Sequence, residues 1–74
     1  MTHGTVVQAN PDIQGGEPVF AGTREPVRNL IDYLEHGSRI DEFLMDFPSV
    51  TRDQAVSVLE MAREAAGREA AAAG

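Results

Sequence analysis

The sequence predicts a mainly α domain: three helices in a helix-turn-helix-like arrangement, preceded by short N-terminal β-strands or a hairpin. Three observations carry that prediction. Apolar residues recur three times at i, i+3, i+4 and i+7, the spacing of one helix face. Capping and breaking residues stand at the joints between those runs. Ahead of them, two short β-branched or aromatic runs are separated by turn chemistry.

The elements follow in chain order. Met1 to Gly4 reads as a frayed end. Thr5-Val6-Val7 and Val19-Phe20 are the strand candidates of an N-terminal β element over 1–25. Asn10-Pro11-Asp12 is turn chemistry, and Gly15-Gly16 breaks the chain again. Ala21-Gly22-Thr23 can turn a small hairpin, with Gly22 free to take positive φ. The first helix is expected over 26–36, burying Val27, Leu30, Ile31 and Leu34. Pro26 suits its first position, Gly37 its left-handed stop, and His36 its negative end. The second helix is expected over 39–47, with Ser38 as N-cap, Asp41 completing a box-like pattern, and Ile40, Phe43, Leu44 and Phe47 buried. Pro48 ends it. The third is expected over 52–66, opened by the Thr51/Gln54 capping box and burying Ala55, Val58, Leu59 and Ala62. The Ala-rich tail, 67–74, has good helix formers but no evident apolar face and is expected to fray.

Length and charge limit what such a domain can do. The chain has 74 residues, enough for one domain spanning 1–66 and the tail. A chain this short buries only about 60% of its unfolded surface. It has no cysteine, hence no disulfide or thiolate metal site, and only His3 and His36 as imidazoles. No metal and no cofactor are expected. Oligomerisation is the remaining route to extra burial, so a homodimer is expected. Val6, Val7, Val19 and Phe20 are its candidate interface. Ile13, Val56 and Met61 also fall outside the three helix faces. No signal peptide or membrane-length apolar run is visible, and a cytoplasmic protein is the simple expectation. Net charge is −6, with six arginines and no lysine against twelve acids. Phosphate contacts dominate nucleic-acid affinity, so such a chain suits a basic protein partner better than DNA.

A longer string then resembles a known family. Asp12-Ile13-Gln14-Gly15-Gly16-Glu17-Pro18-Val19-Phe20-Ala21-Gly22-Thr23-Arg24-Glu25-Pro26-Val27 is similar to the opening signature of the bacterial domain of unknown function 433 family. Leu30, Leu34, Gly37, Phe43, Phe47-Pro48 and Thr51-Arg52-Asp53-Gln54-Ala55-Val56 continue it, so the resemblance covers about 9–66. Glu25 departs from it, standing where the family commonly places an apolar residue. The resemblance implies a helix-turn-helix-like fold. It also implies an antitoxin of a type II toxin–antitoxin system, paired with a ribonuclease toxin and able to repress its own operon.

The candidate sites follow from these readings. In a helix-turn-helix the start of the third helix enters the major groove. That nominates Arg52, Gln54 and Ser57 for DNA contact, with Arg39 and Arg63 near phosphates; Arg and Gln can make bidentate base contacts. Asp53 and Glu60 on the same helix oppose it, and Gln54 has a competing role in the cap. Arg24 is assigned a structural bond to a carboxylate such as Glu17 or Asp32. Gly15-Gly16 lacks the Lys-Ser/Thr of a phosphate loop. Asp41, Glu42 and Asp46 read as a solvated face. No nucleophile–base pair stands out, so an enzyme is not expected. The expectation is a homodimeric, antitoxin-like protein that neutralises a toxin and contacts operator DNA. The alternative is an acidic protein–protein interaction module without DNA affinity.

Overall fold

The computed structural model describes residues 6–12 and 14–73; Thr5, Ile13 and the expected frayed end at Met1 to Gly4 lie outside them. The element order is β1 (Val7–Gln8), a 3-10 turn (Gln14–Gly16), β2 (Val19–Phe20), α1 (Val27–Glu35), α2 (Ile40–Asp46) and α3 (Arg52–Ala73). Three helices and a two-stranded antiparallel hairpin make the domain mainly α, as the sequence predicts.

Val7 pairs with Phe20 and Gln8 with Val19. The expected turn at Ala21-Gly22-Thr23 folds the chain back on the other side of β2. The Phe20 N–H donates to the Glu25 carbonyl at 3.0 Å, and Val19 forms an isolated bridge with Pro26. Gly22 supplies the positive φ, 76°, that this reversal needs. The Thr23 hydroxyl fastens the turn by donating to the Phe20 carbonyl at 2.8 Å. β2 is thus flanked on both edges. That is why Val19 and Phe20 have no exposed surface at all.

α1 begins one residue later than expected, because Pro26 is extended (ψ 139°) and serves as the N-cap. Its end is a Schellman turn. The Gly37 N–H donates to Leu34 O and the Ser38 N–H to Tyr33 O, with Gly37 at φ 87°. α2 corrects the expected cap by one residue. Arg39, not Ser38, is the N-cap, and Glu42, not Asp41, reaches back to the Arg39 N–H at 2.7 Å. The longer carboxylate spans that distance and leaves Asp41 for another partner. α2 ends at Asp46, before Phe47-Pro48, and Val50 is turned inward beneath the link to α3. The Thr51/Gln54 box forms as expected. The Gln54 N–H donates to Thr51 Oγ1 at 3.1 Å, and the Thr51 N–H donates to Gln54 Oε1 at 3.0 Å.

The core is Val6, Val19, Phe20, Leu30, Phe43, Val50, Ala55 and Val58. Phe43 is its centre, with ring centroids 5.9 Å from Phe20, 5.4 Å from Tyr33 and 4.9 Å from Phe47. Such offset and edge contacts add about 0.5–1.5 kcal/mol per pair beyond burial.

Two expectations are corrected here. Val6, Val19 and Phe20, nominated for a dimer interface, lie in the chain's own core, and Val7 packs half-buried against it. The N-terminal segment folds over its own helices, which buries Val6, Val19 and Phe20 within the chain and leaves Val7 partly exposed. The third helix does not stop at 66 with a frayed tail but continues to Ala73. Its nucleus is fixed by the cap and by packing at Ala55 and Val58, and each added alanine or arginine only propagates it. Ala62, expected to be buried, is exposed, as is every residue from 61 to 73.

Candidate functional site

Of the residues nominated for DNA contact, Arg52, Gln54 and Ser57 sit on the first two turns of α3, Arg39 is the N-cap of α2 and Arg63 lies further along α3, and most are engaged within the chain. Arg52 makes an ion pair with Asp41 of α2. That pair locks the two helices across the link. Its hydrogen bond, then its charge, with a smaller contribution from Arg39, lowers the Asp41 pKa below the ordinary carboxylate range. Both partners are well exposed, so the pair contributes little to stability. Gln54 is occupied at both ends of its amide. Its oxygen caps Thr51, while its nitrogen donates to the Ala21 carbonyl at 3.0 Å, tying α3 to the β2 turn. These two bonds fix the orientation of the amide and leave it one donor hydrogen and one acceptor lone pair.

Arg63 lies one turn below Glu60 and donates to it from Nε and Nη2 at 3.2 and 3.1 Å. It stands about 16 Å along the helix axis from Arg52, given 1.5 Å per residue. Arg39 is exposed, and its backbone N–H is the group that Glu42 caps. Ser57 is half-buried. At 3.6 residues per turn, Arg52 and Arg63 fall on one face of α3 and the half-buried Gln54 and Ser57 on the opposite one, so the five residues do not converge on one point.

The acids of α2 each have a local task. Asp41 takes Arg52, Glu42 caps the helix, and Asp46 accepts a 2.5 Å hydrogen bond from the Tyr33 hydroxyl. That last bond, with desolvation and the nearby charges of Asp46 and Glu42, raises the Tyr33 pKa above its ordinary value. Sequence reasoning missed this link; the 13-residue separation gives no local signal for it. It also missed the Gln54–Ala21 tether, which spans 33 residues. Among the described residues, no group of three His, Asp or Glu side chains is placed to hold a metal, and no helix is long and apolar enough to cross a membrane.

Two surfaces remain. One is the outer half of α3, where Met61 and the alanines of 62–73 are exposed and Val56 stands exposed just before them. The other is an open cavity at the α1–α2 corner, lined by Asp32, Tyr33, His36 and Ser38.

Comparison with known proteins places these features. The family described as "Protein of unknown function (DUF433)" matches residues 7–62. Among solved structures, the fold is similar to the crystal structure of a DUF433 member protein from Anabaena variabilis ATCC 29413. The TM-score is 0.68 at 28% identity, covering 92% of this chain and 70% of that one. No curated protein matches the chain. The matched segment ends at 62, where α3 leaves the core.

Proposed function

The chain belongs to the DUF433 family, and from that premise we propose that it is a non-enzymatic, antitoxin-like interaction protein that captures a basic protein partner along the outer half of α3. One observation carries this reading: α3 runs as helix to Ala73, although every residue from 61 to 73 is exposed. A helix that has left its own core, and bears an exposed methionine among small side chains, is built to lie in a partner's groove. The chain as a whole, at a net charge of −6, favours a basic partner, although the outer half itself balances Arg63 and Arg68 against Glu64 and Glu69. The antitoxin role itself comes from the family resemblance.

Operator binding has little support in this reading. Arg52 would have to share its guanidinium with Asp41, and Gln54 would have to read a base from an orientation set by Thr51 and Ala21. The Asp53 and Glu60 carboxylates would still face the phosphates.

Co-expression with the product of the neighbouring gene tests the reading. The expected result is a stable complex and relief of any growth arrest that the neighbour causes alone. A neighbour that neither binds nor arrests growth overturns it. Promoter DNA bound at low salt, and lost on Arg52→Ala, would return the operator role to the chain.

A further inference from the structure

The cavity at the α1–α2 corner combines a defined size, a negative helix end and an aromatic wall. It has a volume of about 240 Å3 and is lined by Asp32, Tyr33, His36 and Ser38. That is many times the roughly 30 Å3 of one water, yet below the roughly 300–1,000 Å3 of sites for drug-sized ligands. Its size suits one long side chain.

Its electrostatics choose the side chain. The cavity lies at the C-terminal end of α1, where the helix dipole is negative and favours a cation. The last turn of α1 holds no basic residue; it carries Asp32 and Glu35 instead. Among the described residues, the Asp32 carboxylate makes no hydrogen bond or ion pair. The His36 Nδ1 is 2.7 Å from the Asp32 carbonyl oxygen. That oxygen can only accept, so Nδ1 carries the hydrogen of this bond, and Nε2 is not engaged by it. The Tyr33 ring is held edge-on to Phe43 and Phe47, at 81° and 74°, and its hydroxyl is fixed on Asp46. The residues that line it carry a carboxylate, an imidazole, a serine hydroxyl and an immobilised aromatic ring, and most of the surface they turn to the cavity is apolar.

We propose that this cavity is a receptor for the guanidinium of an arginine on a basic protein partner. A guanidinium is planar, stacks on aromatic rings, and presents several donors that a carboxylate can take two at a time. An ammonium is a compact, strongly hydrated point charge and exploits only part of that set. The inference deepens the interaction reading, and its test uses no partner protein, so its failure would leave the α3 reading standing.

The test is a heteronuclear NMR titration of the full chain with an end-blocked Gly-Arg-Gly-Arg-Gly peptide. Peptides bearing lysine or citrulline in place of arginine serve as comparators. The expected shifts are confined to Asp32–Ser38 and absent with citrulline, and lysine binds several-fold more weakly. Asp32→Asn weakens arginine-peptide binding about tenfold, the scale of one charge-assisted contact. Glu64→Gln, the same charge change on outer α3, alters it less than about twofold. Shifts spread over the acidic surface, equal binding of the lysine peptide, or equal effects of the two variants would each overturn the proposal.

Discussion

Residues 52–60 and 61–73 form one continuous helix, yet they live in different surroundings. The inner half is capped by Thr51, bonded to the β2 turn through Gln54, and buried at Ala55 and Val58. The outer half touches none of the core. Its helicity rests on local propensity and on a nucleus formed elsewhere. The inner half is therefore specified by tertiary contacts and resists substitution, whereas the outer half tolerates any good helix former. Freedom from the fold is what leaves the outer half open to the proposed partner.

The largest expected effect belongs to the core side of this comparison. Phe43→Ala removes a fully buried ring that contacts three other aromatics. It should cost about 3–5 kcal/mol in a urea titration, a large share of a small domain's stability. A loss below about 1 kcal/mol would show that the aromatic cluster does not hold the fold.

Next comes the joint. Gln54→Ala removes half the capping box and the bond from α3 to the Ala21 carbonyl of the β2 turn, and should cost about 1–2 kcal/mol. Thr51→Ala keeps the Ala21 link and should cost about 1 kcal/mol. Equal losses would mean that the long-range tether contributes nothing.

Gly67→Ala probes the outer half alone. An added Cβ there meets nothing within 4 Å. It should strengthen the local helix by about 0.8–1.0 kcal/mol. The signature is slower hydrogen exchange over 63–73 with the urea midpoint nearly unchanged. A midpoint shift of the full amount would show that the two halves unfold as one unit.

The smallest effects are titrations. Asp41 has a depressed pKa because of Arg52. The pair's stabilisation is present above the unfolded-state value and fades as pH falls through the folded one. Arg52→Gln should return the NMR titration of Asp41 to the ordinary range near about 3.9. Tyr33 has a raised pKa because its hydroxyl donates a hydrogen bond to the Asp46 carboxylate. Its contribution is complete below the unfolded value near about 10 and is lost only as pH climbs through the folded one. Asp46→Asn should bring the tyrosine's ultraviolet titration down.

Much of the fold was legible in the sequence because its signals are local. The three apolar faces, the Thr51/Gln54 box, the Gly37 stop and the Pro48 break all act within a few residues of themselves. The misreadings arose where local rules tie or fall silent. Ser38/Asp41 and Arg39/Glu42 are adjacent capping patterns, and the reach of glutamate decided between them. Val19 and Phe20 read as surplus apolar surface because nothing local shows that β1 and Pro26 close over both edges of β2. The alanines after Gly67 carry no packing signal, so their helix depends on a nucleus set many residues earlier. The candidate site was legible by residue type only. Arg52 and Gln54 were singled out, but their partners, Asp41 and Ala21, come from other elements. The cavity at Asp32, Tyr33, His36 and Ser38 left no trace beyond a helix-end histidine.

The division of labour within α3 is tested most directly by calorimetric titration of the neighbouring gene's product with the native chain and with a Met61→Arg/Ala65→Arg double variant. Arginine keeps the helix and opposes a basic partner. The account predicts a loss of affinity of at least about a hundredfold, or about 2.7 kcal/mol, with the thermal midpoint of the domain unchanged. Undiminished affinity in the double variant would contradict it.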